Sequence, residues 1–146
     1  MLELFCMTKK FGYIQAGIWY RPIIPVTLHH NNKEISYLAL IDSGADFNIF
    51  HSDLADILGI NLSKLKRVKF SGISKSVKDC EGSFVELNLE VGGTPSKCMI
   101  LFSSDISNDG YGILGQQGFF NNFIVTFNYG KREIQINNNK ISKKSN

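Results

Sequence analysis

The chain has 146 residues, of which 43% are hydrophobic and 20% are charged, values that are ordinary for one globular domain. The formal net charge of +3 is mild and the basic residues are scattered, so we predict no nucleic-acid partner. No stretch approaches the ~20 apolar residues of a membrane span, and the N-terminus lacks a signal-peptide pattern. Together these features predict a cytoplasmic protein without a membrane partner.

The cysteines and histidines give little support for a metal or cofactor. Cys6, Cys80 and Cys98 form no C-x-x-C pair, which predicts free thiols in a reducing compartment. His29 and His30 are adjacent, so in a strand their side chains would point to opposite faces, and a solvated hairpin tip is the favoured interpretation. We therefore expect neither a metal nor a cofactor.

The first regular pattern in the chain has a period of two. Ile24, Val26 and Leu28 alternate with other residues, a polar turn follows at 29–33, and an apolar run returns at 35–41. Alternation of this kind is typical of a β-strand with one buried face. The pattern predicts a β-hairpin whose second strand ends just before Asp42.

Later segments continue the β pattern and add two short helical stretches. A helix capped by Ser52 would place Leu54, Ile57 and Leu58 on one face and end at Gly59. The remaining apolar runs predict strands at 85–91, 98–102, 124–127 and 134–136, and a second short helix at 116–121. The sequence thus predicts an all-β fold with one or two short helices.

The run from Leu38 to Phe50 is the most informative part of the chain. Four apolar residues deliver a lone carboxylate, Asp42, into a Ser-Gly-Ala turn, and another apolar segment follows at once. Such a carboxylate is costly to desolvate unless it is hydrogen-bonded or paired. Ser43 supplies a hydroxyl, and Gly44 permits close approach of backbone or ligand. An Asx turn that merely ends a strand is the structural alternative.

Together with Gly112-Ile-Leu-Gly115, about 70 residues further on, the Asp-Ser-Gly-Ala run resembles the signatures of retropepsin-type aspartic proteases. The resemblance implies a closed β-barrel, equivalent to one lobe of pepsin, over residues 20–137. We expect an N-terminal arm at 1–19 and a disordered polar tail at 138–146.

The resemblance also implies roles for the motif residues. Asp42 would be the catalytic carboxylate, and Ser43, Gly44 and Ala45 would support the active-site turn at a dimer axis. Gly44 and Asp46 would contact the backbone of a polypeptide substrate. Peptide hydrolysis of this type uses two carboxylates that share one proton, and this chain has a single Asp-Ser-Gly. A homodimer in which each chain supplies one Asp42 would complete the pair.

Two further positions follow from the same resemblance. Residues 70–80 stand where a flap would cover the cleft, with Gly72 as a hinge and Ile73 at a side-chain subsite. Gln116 stands where many viral members have an Arg that pairs with the second Asp of the motif, so Asp46 lacks that charge partner.

Three other interpretations compete with proteolysis. Residues 110–115 fit G-x-G-x-x-G, but a polar loop precedes them and no acidic residue lies at the spacing that a dinucleotide site requires. His51 lies near no serine nucleophile motif, so a catalytic triad is unsupported and we interpret His51 as a helix-capping residue. A non-catalytic dimerisation or peptide-binding module on the same fold is the main alternative, since a fold does not fix a function.

Overall fold

The computed structural model describes residues 8–71, 79–108 and 110–138. They form twelve β-strands and one short α-helix. The predicted flap residues Gly72 and Ile73 lie outside the described residues, as does most of the predicted tail. The strands are β1 (Lys9–Gly12), β2 (Ile14–Ala16), β3 (Trp19–Arg21), β4 (Ile23–His30), β5 (Lys33–Ile41), β6 (Asn48–His51), β7 (Val68–Phe70), β8 (Cys80–Val91), β9 (Thr94–Ser103), β10 (Gly112–Leu114), β11 (Phe123–Asn128) and β12 (Glu133–Asn138), and the helix is α1 (Ser52–Ile57).

Six of these strands close into a barrel. The hydrogen-bonded order is β4-β5-β10-β6-β9-β8, and β8 pairs back with β4 through Leu28 and Leu89, so that no edge remains. β7 extends the sheet beyond β8. β10 runs parallel to β5, and β6 runs parallel to β9. This closed β-barrel with a short helix confirms the predicted fold class.

The barrel interior is filled by the side chains that the period-two pattern selects. In β8, Val85, Leu87, Leu89 and Val91 are all buried, and β4 shows the same alternation. Each fully buried aliphatic side chain contributes roughly 1.5–3 kcal/mol relative to an exposed one. Burial of this face therefore fixes the register of both strands, because a one-residue slip would turn the apolar set outward.

A second, three-stranded sheet is formed by the two ends of the described chain. β1 lies beside β12, and β12 pairs with β11 in a hairpin. Residues 9–12 of the expected N-terminal arm thus pair with the C-terminal hairpin, where Ile134 and Ile136 are buried. β2 and β3 form a separate small hairpin.

The predicted helix is present, but Ser52 is its first residue and not its cap. His51 is the N-cap, because its Nδ1 accepts a hydrogen bond from the backbone N–H of Asp53 at 3.1 Å. Gly59 takes a φ of 73° just after the helix, as expected for a C-terminal stop. Leu54 and Leu58 are buried, but Ile57 is 55% exposed, so the expected apolar face is narrower than predicted.

The predicted helix at 116–121 is wrong. Residues 116–122 form consecutive turns, in which Phe120 and Asn121 donate backbone hydrogen bonds to the carbonyls five residues before them. Gly118 has a φ of 105°, which an α-helix cannot contain. The turns hold Gln116 and Gln117 next to the loop that carries Asp42, as described below.

Candidate active site

Asp42 directly follows the last residue of β5 and is tied to the second motif. Its backbone N–H donates to the carbonyl of Leu114 at 2.9 Å, and its own carbonyl accepts from Ala45 N–H at 3.1 Å. β5 and β10 run parallel here, with Ile41 opposite Leu114. The two motifs that the sequence places about 70 residues apart are thus neighbouring strands.

The Asp42 carboxylate is half-buried and oriented by its own loop. Oδ1 accepts a hydrogen bond from the backbone N–H of Gly44 at 2.9 Å. A Cβ atom on Gly44 would lie 3.2 Å from that oxygen, so glycine leaves the carboxylate room. For Oδ2, no hydrogen bond to another described residue is recorded. The contact to Gly44 is itself an Asx turn, so the structural alternative and a functional role share one geometry.

A buried asparagine connects the second motif to the strand that follows the Asp42 loop. Asn48 is completely buried in β6, and its Oδ1 accepts from the backbone N–H of Gly115 at 2.9 Å. A Cβ on Gly115 would lie 2.7 Å from the Ala45 carbonyl oxygen and closer still to that of Phe47. Only glycine fits there, because the two loops touch through their backbones.

Further backbone hydrogen bonds complete this connection. Gln116 N–H donates to the carbonyl of Ala45 at 2.9 Å, and Gln117 N–H donates to that of Asp46 at 2.9 Å. The Gln116 side chain also contributes, since its Nε2 donates to the carbonyl of Ser43 at 3.0 Å. Gln116, which the resemblance singled out only because it replaces an arginine, therefore holds the Asp42 loop.

The other predicted site residues occupy the same loop. Ser43 and Gly44 are exposed, Ala45 is 6% exposed, and Asp46 is exposed. Among the residues that the structure describes, the Asp46 carboxylate forms no ion pair. Gly72 and Ile73 cannot be placed, because they lie outside the described residues.

Asn48 is a site residue that the sequence analysis missed. Its signal was available, because a polar residue interrupts the otherwise apolar Phe47-Asn-Ile-Phe50 run. A buried amide must find partners. Its Oδ1 accepts a hydrogen bond from the Gly115 N–H, and its Nδ2 donates to the Sγ of Cys98 at 3.8 Å. Burial raises the pKa of the Cys98 thiol to about 11, which keeps it protonated.

A cavity of about 570 Å³ opens beside the Asp42 loop. Its lining combines apolar side chains with charged and polar groups, as ligand-binding cavities commonly do. Phe47, one of the apolar residues, packs edge-on against Phe84 with ring centroids 4.9 Å apart. The lining residues are Gly44, Ala45, Asp46, Phe47, Ile49, Lys69, Phe70, Ser71, Cys80, Asp105, Ile106, Ser107 and Ile113.

The described residues offer little for other chemistries. Within residues 8–71, 79–108 and 110–138, no group of three or more His, Cys, Asp or Glu side chains could hold a metal ion. His29 lies between Glu34 and Glu90, with ring nitrogens 3.1 and 3.7 Å from their carboxylates. Residues 112–114 form a strand of the barrel, and turns follow Gly115, so the dinucleotide-binding interpretation of 110–115 is wrong.

Comparison with known families decides what the two joined motifs are. The sequence profile of the family described as "Aspartyl protease" matches residues 24–117, which include both motifs. The chain belongs to the aspartyl protease family. No curated protein sequence matches this aspartyl protease family member.

Several solved structures resemble this chain at low sequence identity. The crystal structure of a retropepsin-like aspartic protease from Rickettsia conorii has a TM-score of 0.63 and 16% sequence identity, covering 90% of this chain and 92% of that one. This likeness shows that the fold is retropepsin-like. The retroviral protease-like domain of Ddi1 from Leishmania major has a TM-score of 0.48 and 16% identity, covering 75% of this chain and 82% of that one. In the described part of this family member, no helix is both long enough and apolar enough to span a membrane.

Proposed function

We propose that the protein is an aspartic endopeptidase that acts as a homodimer. The observation that carries the proposal is the Asp42 loop, which presents one half-buried carboxylate per chain, with Oδ1 oriented by Gly44 and the loop braced by the second family motif. A single carboxylate cannot act at once as base towards water and as acid towards the carbonyl. Two copies of Asp42 supply both roles.

In the proposed mechanism, the two carboxylates lie on the two-fold axis of the dimer and share one proton. The ionised carboxylate takes a proton from a water molecule, which attacks the peptide carbonyl carbon. The protonated carboxyl group hydrogen-bonds the carbonyl oxygen and stabilises its developing negative charge. The tetrahedral intermediate then collapses with proton transfer to the amine. Ser43 would bond across the axis, and Ala45 would support the turn from its buried position.

The substrate is proposed to be a polypeptide lying across the loop. Gly44 and Asp46 line the cavity. They would contact the backbone of the substrate while one of its side chains enters the cavity. Gly72 and Ile73 remain predicted contacts of the flap at 70–80. We also keep the predicted division into an arm at 1–19, the protease domain at 20–137 and a tail at 138–146, and the predicted cytoplasmic location.

The sharpest test mixes wild-type chains with chains that carry Asp42→Asn, a change that keeps side-chain shape but removes the base. Cleavage of denatured β-casein by the pure variant should fall at least about a hundredfold, the scale of general acid–base catalysis. When the two chains are mixed at constant total concentration and allowed to exchange, activity should fall with the square of the wild-type fraction. Glu86→Ala, which removes an exposed carboxylate paired with Lys97, is the matched control and should not suppress activity.

Three measurements complete the test. Thermal unfolding should show that Asp42→Asn remains folded, and sedimentation over a concentration range should show a dimer. The pH profile of cleavage should be bell-shaped, because the pair is active only when one proton is shared. Full activity of Asp42→Asn, or activity that falls only in proportion to the wild-type fraction, would contradict the shared dyad. If the wild type itself cleaves nothing, the peptide-binding module becomes the better account.

A further inference from the structure

The two walls of the cavity beside Asp42 meet where the barrel's hydrogen-bond ladder ends. The β8–β9 ladder runs down to the pair formed by Ser83 and Phe102. β8 continues to Glu81 and Cys80, whereas β9 ends at Ser103. The backbone groups of Glu81 that face β9 therefore have no strand partner there, and they need other partners because backbone groups rarely remain unpaired.

Two side chains take the place of the missing strand. The Glu81 N–H donates to Oδ2 of Asp105 at 2.8 Å, and the Ser103 hydroxyl donates to the Glu81 carbonyl at 2.6 Å. The ring is closed by the backbone N–H of Asp105, which donates to the Ser103 Oγ at 3.1 Å. Ser103 is only 2% exposed. We call these three residues the Glu81 clamp.

The clamp joins the two walls of the cavity directly. One wall is built from Phe70, Ser71 and Cys80 at the ends of β7 and β8, and the other from the segment 105–107. The strands also approach closely beside the clamp, since a Cβ on Gly82 would lie 2.5 Å from the Phe102 carbonyl oxygen. The distance between the walls thus depends on the Ser103 hydroxyl and the Asp105 carboxylate.

We propose that Ser103 and Asp105 are positioning residues that set the width of this cavity and so determine which substrate side chain it accepts. The inference rests on the proposed function, because it takes the cavity as a subsite of the peptidase. Neither residue reaches the reacting atoms in this account. The Glu81 side chain is engaged separately, in an exposed ion pair with Arg67 at 3.1 Å, so the clamp acts on the backbone alone.

The first readout is independent of activity. Hydrogen exchange of the Glu81 amide, followed by NMR, should become about tenfold faster or more in Asp105→Ala and in Ser103→Ala. In the first variant the amide loses its acceptor. In the second, Asp105 loses the hydroxyl oxygen to which its backbone N–H donates. Asp105→Asn keeps an acceptor oxygen and should restore the wild-type rate. Glu86→Ala, on the same strand pair, is the control and should leave the rate unchanged. An unchanged Glu81 rate in both alanine variants overturns the clamp.

The second readout measures the width of the cavity through the Cys80 thiol that lines it. N-methylmaleimide and N-phenylmaleimide share one chemistry and differ in bulk, and mass spectrometry assigns the modification to Cys80. The rate of modification by N-phenylmaleimide divided by the rate with N-methylmaleimide should rise about fivefold in Asp105→Ala. A factor of this size corresponds to the net free energy of about one hydrogen bond. Asp105→Asn should return the ratio to the wild-type value. An unchanged ratio with a faster Glu81 amide overturns the positioning role.

The third readout is substrate choice. Cleavage sites in denatured β-casein are mapped first. Two peptides are then built on one of these sites, and they differ in a single residue, which is Phe in one peptide and Ala in the other. The Phe-to-Ala ratio of kcat/KM should change about fivefold in Asp105→Ala, mainly through KM, and Asp105→Asn should reverse the change. A changed maleimide ratio with unchanged selectivity overturns the specificity role. If the wild type cleaves nothing, the proposed function fails, and with it the specificity role, while the first two readouts still decide whether the clamp sets the cavity's width.

Discussion

The hairpin of β4 and β5 has two ends, and they are held in different ways. At one end Asn31 and Asn32 reverse the chain between His30 and Lys33, which pair directly. Asn31 takes a φ of 54°, so the conformation of the turn residues themselves is sufficient to reverse the chain. At the other end the Asp42 loop depends on the distant residues 114–117 for partners of its backbone groups. The Asp42 end is thus the one that tertiary contacts must build.

A substitution at Gly115 should disturb the Asp42 end of the hairpin more than any other change considered. In Gly115→Ala the new Cβ would meet the carbonyl oxygens of Ala45 and Phe47, neither of which can move without disturbing the Asp42 loop. We expect a loss of about 3 kcal/mol in the free energy of unfolding, together with loss of peptidase activity. Urea denaturation measures the first and casein cleavage the second. Gly130→Ala, whose nearest atom would be 3.7 Å away, is the control and should change stability by under about 0.5 kcal/mol.

The next largest effect concerns the Cys98 thiol, which accepts from Asn48 beneath the loop. Its pKa is raised from 9.0 to about 11 in the folded protein. Below pH 9 both states hold the proton, so stability is unaffected. Between pH 9 and 11 the unfolded chain ionises while the folded chain does not, so stability falls, by about 2–3 kcal/mol at the upper end. The difference in unfolding free energy between wild type and Cys98→Ala, measured from pH 8 to 11, should show this slope, and parallel curves would contradict it.

Gln116 should separate stability from activity at the same end. Gln116→Ala removes the hydrogen bond to the Ser43 carbonyl, at a cost of about 1 kcal/mol in stability. The backbone hydrogen bond from Gln116 to Ala45 remains, so the loop stays attached but its active-site turn is held less firmly. We expect kcat for peptide cleavage to fall about tenfold, with a melting temperature only a few degrees lower. Unaltered kcat would show that the side chain does not position the site.

The smallest effect is expected at the turn end, and with the opposite sign. Asn31 has a positive φ and Asn32 does not, the pattern of a type II′ turn, which favours glycine at its first central position. Asn31→Gly should therefore stabilise the protein by about 0.5 kcal/mol and leave cleavage unchanged. A loss of activity in this variant would show that the two ends are coupled, contrary to the comparison.

Much of the barrel could be predicted from the sequence because its signals are local. The alternation in β4 and β8 selects one buried face, and the Asp-Ser-Gly-Ala loop follows an apolar strand in the sequence as it does in the structure. The second motif forms a strand whose pairing with β5 explains why two short signatures so far apart act as one structural unit. The homodimer and the roles of the loop residues remain predictions.

The misses share one physical cause. The 116–121 segment was predicted to be a helix, but Gly118 takes a positive φ, and a Cβ there would collide with Asn48. Asn48 itself is a polar residue in an apolar run, and nothing local shows that Gly115 will be its partner. In each case the deciding atom belongs to a segment far away in the chain, so no window of sequence contains the reason.

The sequence by itself determined the all-β class, the barrel's buried faces and the position of one carboxylate in a turn after an apolar strand. Side-chain alternation and a charged residue after an apolar strand are properties of short segments. Only the tertiary structure decided that Asn48, Gly115 and Gln116 hold the Asp42 loop and that Ser103 and Asp105 clamp the cavity wall. The reason is that unpaired backbone groups at strand ends take whichever partners the closed barrel brings within hydrogen-bonding distance.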